Sequence, residues 1–196
     1  MTVALRLADR ASRREALLDA ADRIIRRDGP AASMVSIAVE AGITKPILYR
    51  HFGDKVGLYA ALADRYTGEL LGQLQAALEA GPGRRARVER TVDAYLLAIE
   101  RQPQVYRFLM DPGVPSAEAA QALSRVRSFT RRLSALLAEG IAAEIGVPAP
   151  RAAAWGAGIV GMVQSAGDWW LETHALTRAE LVQELTDLLF GRYATS

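Results

Sequence analysis

The stretch AGITKPILYRHFGDK, residues 41–55, gathers Lys45, Tyr49, Arg50, His51 and Lys55 within fifteen residues. Ammonium, guanidinium, phenol and imidazole groups at this density suit phosphate oxygens and base edges, which accept hydrogen bonds from such donors. The chain has 24 basic residues, and only Lys45 and Lys55 are lysines. A lysine delivers a compact charge on a flexible stem, so it can reach a phosphate or a guanine edge without the planar fit that guanidinium needs. Pro46 follows Lys45 directly. Proline is tolerated in a first helical turn, where the N–H it lacks would be unpaired anyway, and it biases the residue before it away from helical geometry. A helix should therefore open here, with Thr44 or Lys45 as its cap and Lys45 at its mouth. Two roles fit Ile47 on this helix: contact with a thymine methyl group, or shielding of the helix pair. Val35, on the preceding helix, offers no donor of its own.

These donors need a scaffold, and the patterning around them is helical. Leu17, Ala20, Ala21, Ile24 and Ile25 recur at three-to-four spacing, which predicts a first helix over 9–27 with Gly29 as its stop. Ser33 can cap a short second helix that puts Ile37, Ala38 and Ala41 on one face. Gly42 should end it in the left-handed conformation that glycine adopts cheaply. Thr44 then opens a third helix with Leu48 and Phe52 four apart. A fourth starts near Asp54 and carries Leu58, Leu62, Tyr66 and Leu70. Two short helices joined by a glycine turn, with a further helix behind, make a helix-turn-helix. Beyond it, proline and glycine break the chain at 80–85, 111–115 and 146–150, between long Ala/Leu/Arg helices. The last two should cover 150–172 and 178–190. The expectation is an all-α chain of about nine helices.

Composition excludes several functions. Cysteine is absent, so disulfides, thiolate metal sites and cysteine nucleophiles are excluded. The two histidines, His51 and His174, are far apart, which disfavours a histidine metal site; His174 reads as a surface or capping group. No metal or cofactor is expected. No nucleophile–base pair or phosphate-binding glycine loop stands out, so an enzyme is not expected. No run of apolar residues is long enough to span a bilayer, and the charged N-terminus lacks a signal-peptide core; a cytoplasmic location is expected. Residues 1–58 carry ten basic against seven acidic side chains, while the remainder carries 14 against 15. Arg6, Arg10, Arg13 and Arg14 lie in the first fourteen residues, a basic arm that points to a polyanion partner.

Residues 33–66, SMVSIAVEAGITKPILYRHFGDKVGLYAALADRY, resemble the DNA-binding region of TetR-type transcriptional repressors. Ser33, Ile37, Ala38, Ala41, Gly42, Ile43, Thr44, Lys45, Leu48, Tyr49, His51, Phe52, Lys55 and Leu58 carry the likeness. The resemblance implies that Ser33, Thr44, Tyr49, His51 and Lys55 touch phosphates and that Lys45 touches phosphate or base, with Pro46, Ile47 and Arg50 in the same surface. It implies a DNA-binding head over 1–54 and a C-terminal ligand-binding and dimerisation domain over 55–196. Val35 and Ile47 depart from the family's usual polar or small groups at these positions.

The C-terminal part supplies apolar candidates for a ligand cavity: Tyr66, Tyr95, Tyr106, Phe108, Phe129, Met162 and Trp169. A cavity of this kind, set between helices, would take a small hydrophobic or aromatic effector, or a lipid-like one. Ala154, Gly158, Gly161 and Ser165 recur at three-to-four spacing on one helix, where small residues let another helix approach closely. The resemblance implies a two-fold dimer through the last two helices, with Leu181, Leu185 and Leu188 on the partner face. The expected function is a homodimeric, ligand-responsive repressor of a near-palindromic double-stranded operator. The alternative is a helical small-molecule binder that has lost specific DNA binding.

Overall fold

The computed structural model describes the backbone of residues 2–110 and 117–191, and the side chains within it except those of residues 2–11, 30, 117–123 and 125. Its described residues form nine α-helices and no strand: α1 (Thr2–Asp28), α2 (Met34–Glu40), α3 (Lys45–Phe52), α4 (Lys55–Glu79), α5 (Arg84–Arg101), α6 (Pro103–Met110), α7 (Ala117–Ile145), α8 (Ala149–Thr173) and α9 (Arg178–Leu189). A single 3-10 turn, Gly29–Ala31, follows α1. The break expected at 111–115 lies outside the described residues, as do the side chains of Arg6 and Arg10. Helix α1 starts seven residues earlier than the apolar periodicity predicted, over a stretch, TVALRLA, in which the strong helix formers Ala, Leu and Arg predominate.

The chain divides into two compact units. The first comprises Met1–Tyr66 with Gln104–Val126, and the second Thr67–Pro103 with Arg127–Ser196. This differs from an expected division after residue 54, for a reason visible in the core of the first unit. Leu58, Tyr59, Leu62 and Tyr66 of α4 and Val105 and Phe108 of α6 pack with Ile24 and Ile25 of α1, Ile37 of α2 and Leu48 of α3. Ile25, Ile37, Leu48, Leu58 and Leu62 are fully buried, and each such side chain contributes about 1.5–3 kcal/mol on leaving water. Helix α1 and the two short helices α2 and α3 do not make this core alone; α4 and α6 complete it. Tyr59 fixes this arrangement twice. Its ring meets Phe108 edge-on at 4.7 Å, and its hydroxyl donates to the Ala32 carbonyl at 3.2 Å.

In the second unit α5 and α9 pack most extensively. Arg85 binds Asp187 at 2.6 Å and Glu89 at 3.0 Å, and Arg178 binds Asp93 at 2.8 Å and also Glu100. Trp170 is buried and donates its indole N–H to the Leu176 carbonyl at 2.7 Å, pinning the link between α8 and α9. His174 ends α8 in the left-handed conformation at φ 48°, with its N–H bonded to the Trp170 carbonyl; it is a helix cap, as its position near the helix end foretold.

Candidate nucleic-acid interface

Three local devices shape the interface. Ser33 caps α2: its hydroxyl accepts the Ser36 N–H at 3.1 Å while the Ser36 hydroxyl accepts the Ser33 N–H at 3.1 Å. Gly42 takes φ +66° and turns the chain from α2 to α3, a conformation that a side chain would strain. Thr44, extended at φ −87° and ψ 152°, is the cap residue of α3, so Lys45 and Pro46 are the first two helical residues. The Thr44 side chain makes no capping hydrogen bond. Thr44 is exposed, as a phosphate contact requires.

The start of α3 offers fewer backbone donors than a helix start usually does. Pro46 has none, and the N–H groups of Ile47 and Leu48 both bond the Thr44 carbonyl, at 3.0 and 3.2 Å. Attraction for an anion here comes from side chains more than from the helix end.

Both lysines occupy the first residue of a helix, Lys45 in α3 and Lys55 in α4. Each ammonium lies over the ring of a tyrosine four residues on, Lys45 at 5.6 Å from Tyr49 and Lys55 at 5.0 Å from Tyr59. Neither helix has an acidic residue in its first turn. A cation at the positive end of a helix dipole costs about 0.3–1 kcal/mol when exposed. Two such cations, neither paired with a carboxylate among the described residues, are a charge arrangement that an external anion relieves. Arg50 is exposed and likewise makes no ion pair among the described residues.

Sequence reasoning missed two supports of this surface. Asp54 caps α4, its carboxylate accepting the Gly57 N–H at 2.7 Å, and an Asp three residues ahead of a helical N–H was the available signal. Arg14 of α1 stacks over Phe52 at 4.8 Å, fixing the end of α3 against α1. No sequence spacing could have paired residues so far apart.

Residues 17–62 match the model of bacterial regulatory proteins of the tetR family, and residues 73–196 match that of the tetracyclin repressor-like C-terminal domain. The chain belongs to the TetR family. It is a helix-turn-helix transcriptional regulator, with α2 and α3 as the motif. It is 32% identical over 177 residues to the HTH-type transcriptional regulator Rv0472c of Mycobacterium tuberculosis, covering 90% of this chain and 75% of that one. It is 31% identical over 163 residues to the HTH-type transcriptional activator FasR of Mycolicibacterium smegmatis, covering 83% and 74%. Among solved folds, a tetR-family regulator from Streptomyces coelicolor superposes with a TM-score of 0.72 at 22% identity, over 91% of this chain and 81% of that one. FadR from Bacillus subtilis, solved in complex with stearoyl-CoA, superposes with a TM-score of 0.67 at 14% identity, over 91% and 98%.

Within this TetR fold the expected DNA-facing residues have the following places. Ser33, Thr44, Lys45, Pro46, Ile47 and Arg50 are exposed, Tyr49, His51 and Lys55 are half-buried, and all lie at the starts of α2 and α4 or along α3. The expected ligand-cavity residues are distributed over both units. Tyr66, Tyr106 and Phe108 belong to the first unit, while Tyr95, Phe129, Met162 and Trp169 belong to the second. Phe108 is a core residue of the head, locked against Tyr59. Tyr66 is buried and donates its hydroxyl to Asp22, which also binds Arg26 at 2.7 Å. Burial, and then the carboxylate beside it, pushes the Tyr66 phenol well above its ordinary value of 10.0. Trp169 is 44% exposed.

The expected partner face also divides. Leu181 and Leu185 are buried within the chain, at 4% and 6% exposure, on the helix that packs against α5; only Leu188 is open, at 44%. Apolar spacing in α9 identified a buried stripe and could not tell an intrachain partner from a second copy. On α8 the glycines point two ways. A side chain at Gly156 would meet the Ser134 carbonyl at 2.4 Å, and one at Gly167 would meet Ile99 at 3.0 Å, so these glycines admit α7 and α5. Gly158 and Gly161 face open space. They share an exposed face with Ala154, Trp155, Ser165 and Trp169. Among the described residues no cluster of potential metal ligands occurs, and no helix is long and apolar enough to cross a membrane.

Proposed function

We propose that this chain acts as a homodimeric repressor, located in the cytoplasm, that leaves a near-palindromic operator when a hydrophobic effector binds. The observation that carries the DNA-binding surface is the pair of lysines at the starts of α3 and α4, exposed or half-exposed and without carboxylate partners among the described residues. Ser33, Thr44, Tyr49, His51 and Lys55 would hold phosphates, with Lys45 and Arg50 at phosphate or base. The open face of α8, from Ala154 to Ser165, together with the exposed Leu188 of α9, supports dimerisation through these helices. A two-fold dimer places its half-sites about one helical turn apart, or a multiple of it. Regulation is the chain's role in this reading, and catalysis is not part of it.

The effector class is guided by a neighbour: FadR of Bacillus subtilis was solved with stearoyl-CoA, so long-chain acyl thioesters are the first compounds to test. Tyr95, Phe129, Met162 and Trp169 are the residues of the second unit proposed to meet the effector. The effector acts through its different affinity for the DNA-competent and DNA-released states. A regulatory range of tens of fold corresponds to about 2 kcal/mol of coupling. An activator reading has one specific support, the name of the relative FasR.

Anisotropy titration of the protein's own upstream intergenic DNA against a scrambled duplex, at two salt concentrations, tests the proposal. Selective, salt-sensitive binding is expected, and stearoyl-CoA should reverse it. Lys45→Ala should weaken binding by about 1–3 kcal/mol or less per contact and reduce the salt slope by about one per half-site. Equal binding by wild type and by the double variant Lys45→Ala/Tyr49→Ala would remove this surface from DNA. Transcription from the bound promoter, with and without the protein, separates repression from activation.

A further inference from the structure

We propose that Ile47 reads sequence, by packing against the 5-methyl group of a thymine in the major groove of each half-site. The inference rests on the DNA-binding reading and deepens it by naming a base. Helix α3 buries Leu48 and Phe52. At 100° per residue, the opposite face consists of Pro46, Ile47 and Arg50. All three are exposed, Ile47 at 37%. Pro46 and Ile47 are in the first turn, and in a helix-turn-helix the first residues of the second helix approach the base edges.

The chemistry of that face is narrow. Helix α3 is KPILYRHF and contains no Asn, Gln, Asp, Glu or Ser. Bidentate recognition of adenine by an amide, or of cytosine N4 by a carboxylate, is therefore unavailable from this helix. Apart from Arg50, what its outward face offers a base is hydrocarbon, and the hydrocarbon feature of the major groove is the thymine methyl.

The surroundings favour a nucleic acid over an apolar protein partner. Ile47 shares its face with Arg50, and Lys45 opens the same helix; both cations are exposed and without carboxylate partners among the described residues. A dry protein interface here would strip water from both charges with nothing to replace it. DNA supplies phosphates for the cations and a methyl group for the isoleucine at once. Val35 and Val39 are also exposed, at 57% and 74%. They lie on α2, the helix that crosses the DNA backbone in this motif, which leaves Pro46 and Ile47 as the apolar groups of α3 on the base side, and of these Ile47 carries the longer hydrocarbon side chain.

Deoxyuridine isolates this contact, because it keeps thymine's pairing and lacks only the 5-methyl group. Wild-type protein would first select its sites from a random duplex library. Each thymine of the selected site would then be replaced by deoxyuridine, and affinities measured by anisotropy for wild type, Ile47→Val and Ile47→Ala. The wild type should lose about fourfold at one thymine per half-site, and about fifteenfold when both half-sites are replaced, the equivalent of one buried methyl group each. Ile47→Val should keep most of that sensitivity and Ile47→Ala should lose it, while both variants remain folded by circular dichroism at the assay temperature. Retained sequence selection with no deoxyuridine effect at any thymine overturns the inference, as does an equal effect in Ile47→Ala. Failure of the wild type to select any sequence is a separate result, seen before any base is replaced. It removes the DNA-binding reading and this inference with it.

Discussion

Replacing Gly57 by alanine should destabilise the DNA-binding head, although alanine is the better helix former. Gly57 sits in the first turn of α4 and donates its N–H to Asp54. On propensity alone, glycine to alanine within a helix gains about 1 kcal/mol. Here a Cβ would lie 1.9 Å from the Phe52 carbonyl oxygen and 3.1 Å from its carbon. Carbon–oxygen contacts close no nearer than about 3.3 Å, so the backbone must open by more than an ångström. The obstructing atom is main chain and has no rotamer to yield. Phe52 is itself held in the core and beneath Arg14. Overpacking costs about 1–3 kcal/mol, and a backbone obstacle belongs at the upper end. The net loss should be about 1–2 kcal/mol, lowering Tm by about 2–8 °C in a chain of this size. Operator affinity should fall as well, because Lys55 and the end of α3 must separate. Gly68→Ala in the same helix is the control: its Cβ meets nothing within 4 Å, so it should gain up to about 1 kcal/mol. Urea unfolding and anisotropy measure both effects. If Gly57→Ala were as stable as wild type while Gly68→Ala behaved as expected, the close α3–α4 junction would be refuted.

Other perturbations address the remaining elements. Tyr66→Phe removes a buried bond to a carboxylate and should cost about 1.5–3 kcal/mol in urea unfolding at neutral pH; no loss would mean that Asp22 is satisfied without the phenol. The folded chain holds the Tyr66 proton above the phenol's ordinary value of 10.0. Its contribution is therefore complete below pH 10 and declines as pH rises beyond it, and Tyr66→Phe should flatten that decline. Gly161→Leu should leave the chain folded, since its Cβ enters open space, and should shift sedimentation velocity toward monomer. An unaltered dimer would move the interface off α8. Gly156→Ala should do the reverse, lowering melting temperature through its 2.4 Å approach to the Ser134 carbonyl.

The head was the more legible part of the sequence because its constraints are local. A helix cap three residues from its partner, a glycine turn at φ +66° and a proline in a first turn each act within one turn of chain. The cap at Thr44, left open between two residues by the sequence, was settled by backbone geometry. The C-terminal candidates were less legible because aromatic and small residues carry no label of direction. Phe108 and Tyr66 proved to be spent within the head core, and Leu181 and Leu185 within the chain.

Residue type and spacing by themselves determined the all-helical class, the helix-turn-helix, the absence of cysteine chemistry and the surface that carries Lys45, Arg50 and Lys55. Those properties follow from backbone preferences and periodicity, which a linear chain already contains. Only the tertiary structure decided that α4 and α6 complete the head, and that both lysines lie over tyrosines at helix starts. It also sorted the glycines of α8, admitting neighbours at Gly156 and Gly167 and leaving Gly158 and Gly161 open. Helical glycines are alike in sequence. What separates them is which backbone arrives opposite, and that depends on contacts between segments up to tens of residues apart.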